Sequence, residues 1–224
     1  MQVQANFDTV KRFMSLATGD EKHEPSAHST LDIIWTLYDR VLRFDPQNPR
    51  SEERDRFVLS KGHGPIAFFA VLAAKGFFPP EELKRFGTWD GILGGHPDRN
   101  QVPGAEVSTG SLGHGLSMAI GMALGLRIKR SDRRVFALIG DGETNEGSIW
   151  EAFLLAGNLH LPNLTCILVN NHSSTRDLGD MAAKLTSFGW TSTTINGRDH
   201  EQIYQALIQQ DPTRPTAVIA DIAH

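Results

Sequence analysis

Two side chains stand where an oxygen-seeking cation could be held. Asp141 lies between Gly140 and Gly142, and Asn171 follows thirty residues later. Each comes one residue after a short apolar run: Val135-Phe136-Ala137-Leu138-Ile139 before the first, Thr165 to Val169 before the second. Neither run alternates with polar residues, so both read as strands covered on two faces. In a parallel sheet both side chains would then sit at the carboxyl ends of strands, where open α/β sheets bind ligands. A carboxylate and an amide oxygen suit Mg²⁺, a hard cation that often shares its shell with phosphate. A glycine turn leading into a helix near Asn145 to Leu159 would leave backbone N–H groups facing the same phosphates.

Histidines between glycines form a second set. They occur in Leu59-Ser60-Lys61-Gly62-His63-Gly64, in Gly95-His96-Pro97-Asp98 and in Ser108-Thr109-Gly110-Ser111-Leu112-Gly113-His114-Gly115. Imidazole can donate, accept or neutralise phosphate, and the neighbouring glycines permit close backbone approach. His23, in Lys22-His23-Glu24-Pro25-Ser26, lies upstream of all of them.

The elements that must position these groups follow from periodicity. Helices are predicted over 6–14, 30–42, 65–75, 111–129, 145–159, 181–188 and 200–209, with a further short one at Pro79-Pro80. Strands are predicted over 57–59, 135–139, 165–169, 190–195 and 216–222, and a polar break over 18–29. Residues 87–110, rich in Gly, Pro and Asp, read as a functional loop. Glycines 113, 115, 121 and 125 fall in one predicted helix. Each costs about 1 kcal/mol against alanine, so close approach of another backbone or a ligand is expected there. Strands alternating with helices imply an α/β fold, a doubly wound, mostly parallel sheet flanked by helices.

The chain has 224 residues, 40% hydrophobic and 21% charged, with a formal net charge of −4. That length supports one domain with a substantial core. The charge offers no basic surface for nucleic acid, no apolar run is long enough to cross a membrane, and no secretory leader opens the sequence. Cys166 is the sole cysteine; inside a strand it reads as a buried core thiol, consistent with a reducing cytoplasm.

Taken together, GDGETNEGSIWEA, AGNLHLPNL and the paired asparagines resemble the thiamine diphosphate signature of the transketolase family, and the LSKGH, GHP and TGSLG boxes follow in the family's order over essentially the whole chain. The resemblance implies a diphosphate-binding (PP-type) domain that takes thiamine diphosphate with Mg²⁺, or with Ca²⁺ or Mn²⁺. It makes Asp141, Asn171 and the backbone carbonyl of Ser173 the metal ligands. It assigns His63, Gly110, Ser111, Leu112, Gly140, Asp141, Gly142, Glu143 and Asn171 to the cofactor. Its catalytic candidates are His23, His63, His96 (at the donor sugar's two-carbon end), His114, and a buried glutamate pair, Glu146 and Glu151, linking paired active sites across a dimer interface.

The sequence also departs from the family pattern. Val169 replaces an acidic residue, His114 a glutamine, and the last strand ends Ala220-Asp221-Ile222-Ala223-His224 where the family carries a diphosphate-touching histidine and a Lys-Gly loop. The family's pyrimidine domain, whose glutamate activates the cofactor ring, and its C-terminal domain have no counterpart in residues 1–224. The resemblance therefore implies a split enzyme. This chain would be its N-terminal subunit, the C-terminal subunit would bring the missing parts, and the two would form a heterotetramer built on a twofold. The expected reaction moves a two-carbon ketol unit from a ketose donor to an acceptor. Two alternatives stand beside it: delivery of the unit to a carrier-protein thiol or lipoyl-type arm, and a non-catalytic subunit that binds the cofactor or stabilises a partner.

Overall fold

The computed structural model describes residues 5–17 and 24–222. Five strands form one sheet: β1 (Arg56–Leu59), β2 (Val135–Gly140), β3 (Leu164–Asn170), β4 (Thr191–Asn196) and β5 (Thr216–Asp221), in the order β1-β2-β3-β5-β4. Every neighbouring pair runs parallel, with Val135 opposite Leu164 and Asn170 opposite Asp221. The helices are α1 (Phe7–Met14), α2 (Glu24–Arg40), α3 (Ile66–Ala74), α4 (Gly115–Ile128), α5 (Gly147–Asn158), α6 (Met181–Ser187) and α7 (His200–Ile208).

The sheet is wound on both faces because its central strands, β2 and β3, are buried on both, whereas the edge strand β4 is polar and partly exposed. Phe136 and Leu138 of β2 join Ile167 and Val169 of β3 in a core shared with α1, α2, α3 and α7. Their alternates, Val135, Ala137, Ile139, Cys166 and Leu168, pack with α4, α5 and α6 on the other side. Full burial of a side chain such as Phe136 contributes about 2 kcal/mol. Side chains start several helices as local chemistry dictates: Asn6 accepts from the Thr9 amide at 2.9 Å, and Asp199 from those of Glu201 and Gln202 at 2.9 and 3.0 Å.

Four boundaries differ from the sequence expectation for physical reasons. Helix α2 begins at Glu24 and absorbs half of the supposed polar break. The hydroxyls of Ser29 and Thr30 turn back onto the Ser26 and Ala27 carbonyls (both 3.0 Å), so these residues are satisfied inside a helix. Helix α4 starts four residues late, because Gly113 holds φ +86° before it. The helix after the GDG turn is preceded by a 3₁₀ turn, Gly142–Asn145. Trp190, expected in β4, precedes it, fully buried with its indole N–H on the Phe153 carbonyl at 2.8 Å.

Candidate active site

The carboxyl ends of β2 and β3 lie side by side, Gly140 opposite Val169, and bring Asp141 to the loop after β3. Asp141 is buried, and its carboxylate collects four donors. Oδ1 accepts from the Gly142 amide (2.7 Å) and the Ser173 hydroxyl (2.7 Å); Oδ2 accepts from the amides of Ser173 (2.6 Å) and Ser174 (3.1 Å). The Gly142 amide, expected to face phosphate, is therefore engaged by Asp141, which caps the 3₁₀ turn with its own side chain. The Asp141 amide is likewise taken, by the Val169 carbonyl at 2.9 Å.

A pocket of about 130 Å³ opens beside this turn, lined by Ser26, Lys61, His63, Leu112, Gly142 and Asn171 among others. The buried Asn171 Oδ1 has no hydrogen-bond partner among the described residues. Such an atom is costly to leave unsatisfied, and a cation at the pocket would satisfy it. A Cβ on Gly142 would meet nothing nearer than the Ser173 hydroxyl at 3.8 Å, which leaves the turn open toward that space. One carboxylate, one amide oxygen and an open cradle fit a divalent cation whose remaining positions go to phosphate oxygens. A larger hollow of about 610 Å³, at Glu52, Arg56, Lys129 and Asp132, lies at the opposite ends of the strands. It is crossed by ion pairs such as Lys129 to Glu52 and holds none of the motif residues.

The glycine-rich boxes interlock. Gly110 holds φ +134°, and a Cβ there would stand 2.6 Å from Cδ2 of His96. Gly62 holds φ +70°, and its Cβ would stand 2.4 Å from the Gly110 nitrogen. Gly113 lies against Glu146 and Ser148, and Gly115 against Ser60. The close approach expected of the glycines thus holds at 113 and 115, whereas Cβ atoms at Gly121 and Gly125 would meet nothing within 4 Å.

Buried charge ties the boxes together. Oε1 of Glu143 accepts from the Ser60 hydroxyl (2.6 Å) and the Gly113 amide (2.9 Å), joining three motifs at one oxygen. Burial pushes the Glu143 carboxyl above its usual range, while Ser60, Gly113 and the charge of Lys61 pull the other way. Lys61, itself buried, donates to the Ser26 carbonyl at 2.8 Å and to the Ser26 hydroxyl. Sequence reasoning passed over Ser60 and Lys61; the signal was a polar pair directly after a buried strand.

The remaining candidates divide. His63 is half-buried, its Nδ1 3.2 Å from the Lys61 carbonyl, and it lines the pocket. His96, His114 and Ser111 are exposed. Glu146 and Glu151, expected to be buried, are both exposed in this chain because they lie on the outer side of α5 and its cap. His23 and His224 lie outside the described residues. Val169 belongs to the core. Asp221 does not line the pocket; its Oδ1 is 2.8 Å from Nε2 of His172. Cys166 is buried and free, its thiol pushed up by burial.

A parallel doubly wound sheet with a cation- and phosphate-suited pocket at its carboxyl edge defines a diphosphate-binding α/β domain. Residues 8–222 match the family model described as "Transketolase, thiamine diphosphate binding domain", and the chain belongs to that family. It is 46% identical over 221 residues to "Ferredoxin fas2" of Rhodococcoides fascians, covering 97% of this chain and 72% of that one. It is 36% identical over 219 residues to "6-deoxy-6-sulfo-D-fructose transketolase subunit SqwG" of a Clostridium species, covering 93% and 78%. Its fold superimposes on the transketolase from Leishmania mexicana with a TM-score of 0.80 at 26% identity, covering 98% of this chain and 37% of that one. The chain is thus a transketolase-type transferase component that uses thiamine diphosphate with a divalent cation. None of its described helices is long and apolar enough to cross a membrane.

Proposed function

We propose that this chain is the diphosphate-binding subunit of a two-chain transketolase, moving a two-carbon ketol unit from a ketose donor to an aldehyde acceptor. The observation that carries the reading is the meeting of Asp141, the unpartnered Asn171 oxygen, Lys61 and His63 around one pocket. Bound thiamine diphosphate supplies the electron sink for the transferred fragment. This chain's residues do the holding. Asp141 Oδ1, Asn171 Oδ1 and the Ser173 carbonyl ligate the cation. His63 and Lys61 offset the diphosphate charge, and Gly110 to Leu112 with Gly140, Gly142 and Glu143 shape the cradle. His96 binds donor hydroxyls; His23 and His114 are further candidates at the donor. Glu146 and Glu151, exposed in the single chain, link the paired active sites across the interface of an assembly built on a twofold.

The pyrimidine-binding and C-terminal domains would come from that partner. In support, one relative is itself named as a single subunit of a transketolase, and this chain covers 78% of its length. The sugar in that relative's name is a ketose, which supports a ketose donor. The test is reconstitution with the product of the adjoining reading frame. Ketol transfer from ketose to aldose by the pair, with neither chain active alone, is the expected outcome. Turnover by this chain alone would overturn the split, and a pair that binds Mg²⁺ and thiamine diphosphate without turnover would leave only a binding role.

A further inference from the structure

His172 sits between two of the residues assigned above to the cation, Asn171 and Ser173, and takes φ +58°. A histidine adopts this left-handed conformation less readily than glycine. Its ring reaches across to the end of the neighbouring strand, where Nε2 lies 2.8 Å from Oδ1 of Asp221. Because a carboxylate accepts, Nε2 carries the hydrogen. Asp221 cannot drift: it is the last residue of β5, paired with Asn170 of β3, its carbonyl accepts from the Gly197 amide at 2.8 Å, and the Ile222 amide donates to the Asn170 carbonyl at 2.9 Å. The side chains are 55% and 44% exposed. A pair that open to water adds little stability, and the backbone conformation it requires works against stability. What the contact fixes is direction.

We propose that His172 and Asp221 form a strap that sets the loop from Asn171 to Ser174 against Asp141, and that both act as positioning residues for the divalent cation. The strap turns the loop so that Ser173 and Ser174 direct their amides at Oδ2 of Asp141, while Asn171 lines the pocket with its Oδ1 left without a hydrogen-bond partner among the described residues. It also gives the anionic end of β5 a role other than contact with phosphate. The inference rests on the cation site proposed above, and its test separates the two.

Mg²⁺ is titrated calorimetrically into the full chain at fixed thiamine diphosphate, for the wild type, His172→Ala, Asp221→Ala, the double variant and Asp221→Asn. Amide exchange at Ser173 and Ser174 is measured on the same proteins without metal. Each alanine variant should weaken Mg²⁺ binding by about tenfold, as loss of an orienting partner does at other metal sites. The double variant should be no weaker than either single one. Asp221→Asn, which keeps an accepting oxygen but loses the charge, should hold near wild-type affinity. Exchange at Ser173 and Ser174 should quicken in both alanine variants. In the reconstituted enzyme the Mg²⁺ requirement should rise while kcat at saturating Mg²⁺ stays unchanged. Unaltered affinity and exchange in the single variants, or losses that add in the double one, would overturn the strap. Tighter binding by Asp221→Asn and Asp221→Ala alike would show repulsion instead of positioning. If the wild type binds no Mg²⁺, the cation site fails, and unchanged exchange would then dispose of the strap separately.

Discussion

The ring of His96 lies directly over Gly110, with Cδ2 only 2.6 Å from where a Cβ would project. The histidine assigned to the donor and the loop assigned to the cofactor are therefore one mechanical unit, closed from below by Gly62. Gly110→Ala meets this ring and a backbone φ of +134°, and should cost about 1–3 kcal/mol of stability. In the reconstituted enzyme both the thiamine diphosphate affinity and the donor KM should suffer. Denaturant unfolding together with donor kinetics checks this; a variant with unchanged stability and donor KM would separate the two boxes.

His96→Ala removes the ring and leaves the glycine loop unstrained. Loss of one hydrogen bond to the donor should raise donor KM by about tenfold. Affinity for thiamine diphosphate should stay near that of the wild type. Steady-state kinetics with a ketose donor, alongside calorimetric binding, tests the division of labour.

Much of this site was readable because its strands are unusually plain. Two uninterrupted apolar runs placed Asp141 and Asn171 from the residues alone, and the parallel sheet puts both at one edge. Helix ends were less legible, since hydroxyl back-bonding in Ser29 and Thr30 makes a polar stretch helical without any apolar period. Contacts between boxes were not legible at all. Nothing local in Gly110 announces His96, and nothing in Glu143 announces Ser60 and Gly113. The Gly142 amide was read as open to phosphate, yet the side chain one residue earlier takes it. Exposure of Glu146 and Glu151 reflects a property of the single chain that a motif shared with assembled enzymes does not carry.

Ser173 offers a sharper test of the metal ligands. Four donors already match the four lone-pair positions of the Asp141 carboxylate. A cation bound at Oδ1 must displace one, and the Ser173 hydroxyl is the donor that can rotate away. Ser173→Ala deletes that hydroxyl and keeps the carbonyl, so Mg²⁺ affinity should be equal or higher. A marked loss would show that the hydroxyl, not the carbonyl, serves the ion.

Asp211 marks a pH dependence away from the site. Hydrogen bonds from the Thr191 hydroxyl and from Thr213 hold its carboxyl down, from 3.8 to about 2. A depressed folded value means that the stabilisation is present above the ordinary value and is lost as pH falls toward 2. Asp211→Asn should flatten that part of the acid unfolding curve, followed by circular dichroism between pH 4 and pH 2, and leave stability at pH 7 lower.

One cation joining Asp141 and Asn171 to the cofactor's diphosphate stands at the centre of the proposed function. Mn²⁺ in place of Mg²⁺ lets electron spin resonance report this directly, through hyperfine coupling to ³¹P of thiamine diphosphate bound to the reconstituted enzyme. The expected result is ³¹P coupling in the wild type and its disappearance, with loss of tight Mn²⁺ binding, in Asp141→Ala. Coupling that persists in Asp141→Ala, or Mn²⁺ bound tightly by the wild type without any ³¹P coupling, would contradict it.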